Sequence, residues 1–113
     1  MLGKIRMSQN VTELVNFKEF ESFIQKGNVL IDFYADWCMP CLTMGPVLEE
    51  LSKKFKGKIK FGKVDISENK ELAQKFKISS IPNFIFLKDG KIKDQFIGAM
   101  YLEDLEAKLK KCL

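Results

Sequence analysis

Val29-Leu30-Ile31-Asp32-Phe33-Tyr34-Ala35-Asp36-Trp37-Cys38-Met39-Pro40-Cys41 decides how this chain folds. Its opening part, Val29 to Ala35, is almost wholly apolar, the pattern of a strand buried on both faces. Beyond Cys41, the residues Met44, Val47, Leu48, Leu51 and Phe55 recur at helical spacing along one face. Pro40 suits the first turn of that helix, where its missing N–H would have no partner. Pro46 lies inside the helix and predicts a kink, eased by Gly45. The stretch is therefore a strand, a turn and a helix, with a dithiol at the helix start.

Working outward, Val11 to Val15 alternates as a short strand. Asn16 caps a following helix, with Glu19 in the capping-box position and Phe17, Phe20 and Ile24 on its apolar face. Gly27 stops it. After Gly57, Ile59 to Ile66 reads as a strand and Asn69 to Phe76 as a short helix with Leu72, Ala73 and Phe76 inward. Phe84 to Leu87 and Lys91 to Ile97 are two strands joined by an Asp89-Gly90 turn, the second at an edge. Leu102, Leu105 and Leu109 mark a last amphipathic helix. The order β-α-β-α-β-α-β-β-α predicts an α/β fold: a mixed sheet of about five strands, parallel early and antiparallel late, with about four helices on both faces.

With 113 residues the chain makes one domain over residues 11–113, after a loose extension at 1–10. Hydrophobic residues form 46% and charged residues 30%, the balance of a soluble globular protein. The net charge of +4 is mild. Lysines crowd between Lys53 and Lys63, but a helix C-terminus and a solvated turn account for them, and no aromatic platform continues the patch. No nucleic-acid partner is expected. The N-terminal residues lack the apolar core of a secretory signal, and no run is long enough to span a bilayer. The expected setting is the cytoplasm, without a membrane partner.

Cysteines at i and i+3 of a helix lie roughly 5–6 Å apart, the separation a disulfide needs. Cys38 stands at the helix N-terminus, where unpaired N–H groups and the dipole favour a thiolate. Cys41 lies one turn inside and should be the less exposed. Cys38 is then the attacking thiol and Cys41 the resolving one. Two other readings stand beside this. Half of a zinc site needs four ligands, yet the chain has no His and one further cysteine, Cys112. A pair of inert buried cysteines would leave Trp37 and Pro40 unexplained. Cys112 itself reads as a solvent-side or fraying-end residue without a redox role.

Asp32 interrupts an apolar strand, where a charge is costly unless paired. Burial should raise its pKa and make it a proton acceptor near neutral pH. The competing reading is an Asp at the sheet edge or pinned by a salt bridge, for which Lys63 is the fitting partner. At Ile81-Pro82 the sequence alone does not select the cis isomer.

Together, Ile31 to Cys41, Pro46, Lys63-Val64-Asp65, Ile81-Pro82 and Phe96-Ile97-Gly98 closely resemble the thioredoxin family, from about Val11 to Leu109. The resemblance implies a thioredoxin fold with Pro82 cis and facing a redox disulfide, Cys38–Cys41. It implies a shallow groove framed by Trp37, Pro82 and Gly98, in which an extended substrate pairs with the backbone of Ile81. It also implies that Asp32, with Lys63 near it, sits beneath Cys41, and that Trp37, Pro40 and Lys63 support the site. The implied activity is reduction of protein disulfides by a monomer with no bound cofactor or metal. Its electrons would come from a thioredoxin reductase using NADPH and flavin or another donor. The same exchange run as an oxidant or isomerase, and a non-catalytic docking role, are the alternatives. A glutaredoxin is disfavoured by the extra strand and helix before the redox strand. The chain departs from the usual family pattern at Met39 (usually Gly), Tyr34 (Trp), Leu42 (Lys) and Asn83 (Thr). Met39 leaves the reducing strength open, and Leu42 removes a charge beside the dithiol.

Overall fold

The computed structural model describes residues 10–113. Residues 1–9, and with them nearly all of the expected N-terminal extension, lie outside the described residues. The elements are β1 (Val11–Glu13), α1 (Phe17–Ile24), β2 (Asn28–Tyr34), α2 (Met39–Lys54), β3 (Lys60–Asp65), α3 (Lys70–Lys75), β4 (Asn83–Lys88), β5 (Lys91–Ile97) and α4 (Leu102–Cys112). The strands form one sheet in the order β1-β3-β2-β4-β5. β1, β3 and β2 run parallel, β4 is antiparallel to β2, and β5 is antiparallel to β4. This is the mixed α/β architecture that the alternation of patterns predicts.

Local chemistry explains the boundaries. Asn16 Oδ1 accepts the Glu19 N–H at 2.8 Å, and Glu19 Oε1 accepts the Val15 N–H at 3.0 Å, one residue before the reciprocal bond of a capping box. Asp89 and Gly90 both take positive φ, 50° and 84°, as a tight hairpin turn requires. α2 runs from Met39 to Lys54 with Pro46 inside it.

Alternation in β2 divides the core. Val29, Ile31 and Phe33 face α1 and α3, packing with Phe20, Ile24 and Leu72. Leu30 faces α2 and α4, packing with Met44, Leu48, Leu51, Leu105 and Leu109. Asp32 therefore shares the α2 face of the sheet with Leu30. Cys112 corrects its sequence reading. It is 4% exposed, within the same cluster as Leu105 and Leu109. Residues 105, 109 and 112 fall on one helical face, so Cys112 continues the apolar stripe instead of fraying into solvent.

Candidate active site

β2 ends at Tyr34 and α2 begins at Met39, so the intervening turn delivers Cys38 to the residue just before a helix. Cys38 is the N-cap residue in extended conformation, and its Sγ accepts the Cys41 N–H at 3.2 Å. A sulfur thus occupies the place usually taken by a capping oxygen, against the positive end of α2. The two sulfurs are at disulfide-bonding distance, with the Cα atoms 5.3 Å apart. Exposure does not separate the pair: Cys38 is 7% exposed and Cys41 5%. What separates them is position, since Cys38 alone caps the helix. Ala35 is buried with both cysteines, and Tyr34, Ile66 and Ile81 pack around them.

The loop before β4, the strand next to β2, meets this turn. The Ile81–Pro82 peptide is cis, and Cys38 Sγ lies 4.0 Å from the Ile81 carbonyl oxygen. Gly98, at φ 98°, donates its N–H to the Pro82 carbonyl at 2.8 Å. Ile81 therefore lies beside Cys38, and Gly98 is tied to the next residue, Pro82. Trp37 stands out at 70% exposure, and Met39 and Leu42 are also exposed, whereas Pro82 is buried. Trp37, Met39 and Leu42 thus present exposed apolar side chains around the dithiol.

Asp32 lies deeper, in the middle of β2 and almost fully buried, and its Oδ1 has no hydrogen-bond partner. Burial pushes its pKa up to about 7, with Lys63 pulling down and Glu13 pushing up. A sheet-edge position for Asp32 is thus ruled out, because β3 and β4 flank β2. Lys63 sits directly opposite Asp32 in register, but its ion pair is with Glu13, at 3.7 Å. Glu13 also accepts a hydrogen bond from the Tyr34 hydroxyl, at 2.8 and 2.9 Å to its two oxygens. Burial raises the Glu13 pKa against the opposing pull of Tyr34 and Lys63. Burial and then Glu13 raise that of Tyr34.

Sequence reasoning missed Glu13. The signal was there: in an alternating strand, Glu13 shares the face of Val11, which is inward. Among the described residues no group of three or more His, Cys, Asp or Glu side chains could hold a metal ion, and no helix is long and apolar enough to cross a membrane.

The thioredoxin family model matches residues 11–111. A thioredoxin of Staphylococcus aureus is 41% identical over 95 residues, covering 84% of this chain and 91% of that protein. Among solved structures, mitochondrial thioredoxin 3 from Saccharomyces cerevisiae in its oxidized form is 34% identical with a TM-score of 0.81, covering 89% of this chain and 94% of that one. Malassezia sympodialis thioredoxin is 35% identical with a TM-score of 0.81, covering 89% of each chain. A cysteine pair at disulfide distance on a helix start, in this fold and among these relatives, is the redox centre of a thiol–disulfide oxidoreductase with protein-disulfide reductase activity: the chain belongs to the thioredoxin family.

Proposed function

We propose that the protein reduces disulfides in other proteins with Cys38 as nucleophile, Cys41 as resolving thiol and Asp32 as the proton acceptor for Cys41. The observation that carries this reading is the Cys38 sulfur at the N-terminus of α2, held by the Cys41 N–H. That setting favours a thiolate at Cys38. The thiolate attacks one sulfur of the substrate disulfide. The substrate S–S bond breaks, its other sulfur leaves and takes up a proton, and a mixed disulfide joins substrate to Cys38. Cys41 then passes its proton to Asp32 and attacks the Cys38 sulfur. The second substrate thiol leaves, and the Cys38–Cys41 bond has taken over the oxidation, with two electrons passed to the substrate. A carboxyl with a pKa of about 7 suits this transfer near neutral pH.

The substrate segment lies against Trp37, Ile81, Pro82 and Gly98. Support for this is the exposed Trp37 ring and the nearness of the Ile81 carbonyl to Cys38 Sγ. Pro40 fixes the first turn of α2, and Lys63 supplies positive charge beside Asp32. A thioredoxin reductase, drawing on NADPH and flavin or another donor, restores the dithiol. The protein works as a monomer in the cytoplasm, without a nucleic-acid or membrane partner.

Insulin reduction driven by NADPH and a thioredoxin reductase tests the reading. Cys38→Ser should abolish turnover, and Cys41→Ser should accumulate mixed disulfides with its substrates. Turnover at the wild-type rate by Cys38→Ser would overturn it. A midpoint potential well above the cytosolic glutathione poise would reverse the direction to oxidation.

A further inference from the structure

Glu13, Lys63 and Asp32 occupy one row across the sheet. Glu13 on β1 pairs in register with Lys63 on β3, and Lys63 pairs with Asp32 on β2. Alternation puts all three on the α2 face, as Val11, Phe61 and Leu30 of the neighbouring row show by packing there. One ammonium thus stands between two carboxyl groups. It is ion-paired with Glu13, while Asp32 Oδ1 keeps no partner. Tyr34 ties this row to the redox centre. Its hydroxyl binds both Glu13 oxygens, its ring lies 5.3 Å from Lys63 Nζ, and its side chain packs on the cluster of Ala35, Cys38 and Cys41.

We propose that Glu13, held by the Tyr34 hydroxyl, is a positioning residue of the redox centre: it keeps the Lys63 ammonium on the β1 side and so sets the charge that Asp32 faces. The proposal rests on the reading of Asp32 as the proton acceptor for Cys41. Without a charge at Glu13, Lys63 is free to turn to Asp32, and a negative charge near Asp32 is lost. Both changes favour the ionised Asp32 carboxylate. The remaining neighbours do not compensate. β4 offers the uncharged Phe84 opposite Asp32, and the α2 residues packed on this face of the sheet, Met44, Leu48 and Leu51, carry no charge. Asp36 and Asp65 act on Glu13 and Tyr34, where they oppose further negative charge.

The test follows the Asp32 side-chain carboxyl through a pH titration by carbon-13 NMR in the oxidised protein. Glu13→Gln keeps an acceptor for Tyr34 and removes only the charge. It should move the Asp32 midpoint to lower pH by about half a unit or more. Tyr34→Phe, which deletes one hydroxyl, should move it the same way by less, because Glu13 then ionises less readily. Lys63→Met should move it upward, and in that background Glu13→Gln should have a smaller effect than alone. A merely structural Glu13 would lower the melting temperature and leave the midpoint in place. Unmoved midpoints in natively folded Glu13→Gln and Tyr34→Phe overturn the proposal. The pH profile of insulin reduction separates the two readings. If the Asp32 midpoint moves and the profile does not follow, Glu13 keeps its role and Asp32 loses its part in the exchange.

Discussion

At the scale of single residues, Asp32 is the expensive group. A carboxylate in the middle of β2 has lost its water and gained no hydrogen bond at Oδ1. Its pKa is about 7 in the folded chain, against an ordinary 3.8. Between those values the folded state holds a proton that the unfolded state has released. Stability therefore falls as pH rises through that window, and the loss is complete above the folded pKa. Asp32→Asn removes the titration. The variant should be more stable than wild type at pH 8, by on the order of a few kcal/mol, with the gain shrinking toward pH 4. Urea unfolding at pH 5 and pH 8 checks this, and a gain independent of pH would contradict it. The same variant should slow insulin reduction. Asp32 was legible in the sequence because one charge stands out in an apolar run. For Glu13 alternation with Val11 gave only its inward face, and the register was needed to set it beside Lys63.

At the scale of elements, β3 shows how a helix approaches a sheet. Gly62 lies in the middle of β3 on the face opposite Lys63. A Cβ there would sit 2.9 Å from Phe23 Cε2, 3.0 Å from Leu14 Cδ1 and 3.2 Å from Ile31 Cδ1. The missing side chain lets α1 and its flanking strands close on β3. Gly62→Ala should lose about 1–3 kcal/mol by overpacking, read as a lowered denaturation midpoint with an unchanged slope. An equally stable variant would show that Phe23 moves aside freely. The elements themselves were readable from their periods and caps, and their ends agree to within a residue or two. Cys112 was misplaced for a physical reason. A single cysteine near a terminus carries little hydrophobic signal, but three positions after Leu109 it lies under the helix, and its carbonyl is held by Lys93 Nζ at 2.8 Å.

At the scale of the molecule, β2 is the axis. It pairs along its length with β3 on one side and β4 on the other, and helices cover both faces. β1 contributes three residues at an edge and has one neighbour. Amide hydrogen exchange should therefore be slowest in β2, opening only with global unfolding, and about tenfold or more faster in β1. Equal protection in both strands would show that β1 opens only with the whole sheet. The sequence by itself determined the strand–turn–helix around the dithiol, the order of elements and the identity of the two redox cysteines. Periodicity, capping and Cys-x-x-Cys spacing are local, so a linear chain displays them. Only the tertiary structure decided what surrounds the dithiol. The Ile81–Pro82 loop at the start of β4 reaches Cys38, Gly98 at the end of β5 holds Pro82, and the partner of Lys63 is chosen by register between strands distant in sequence. Such contacts depend on which strands pair and in what alignment, and that is settled by burying both faces of β2 at once.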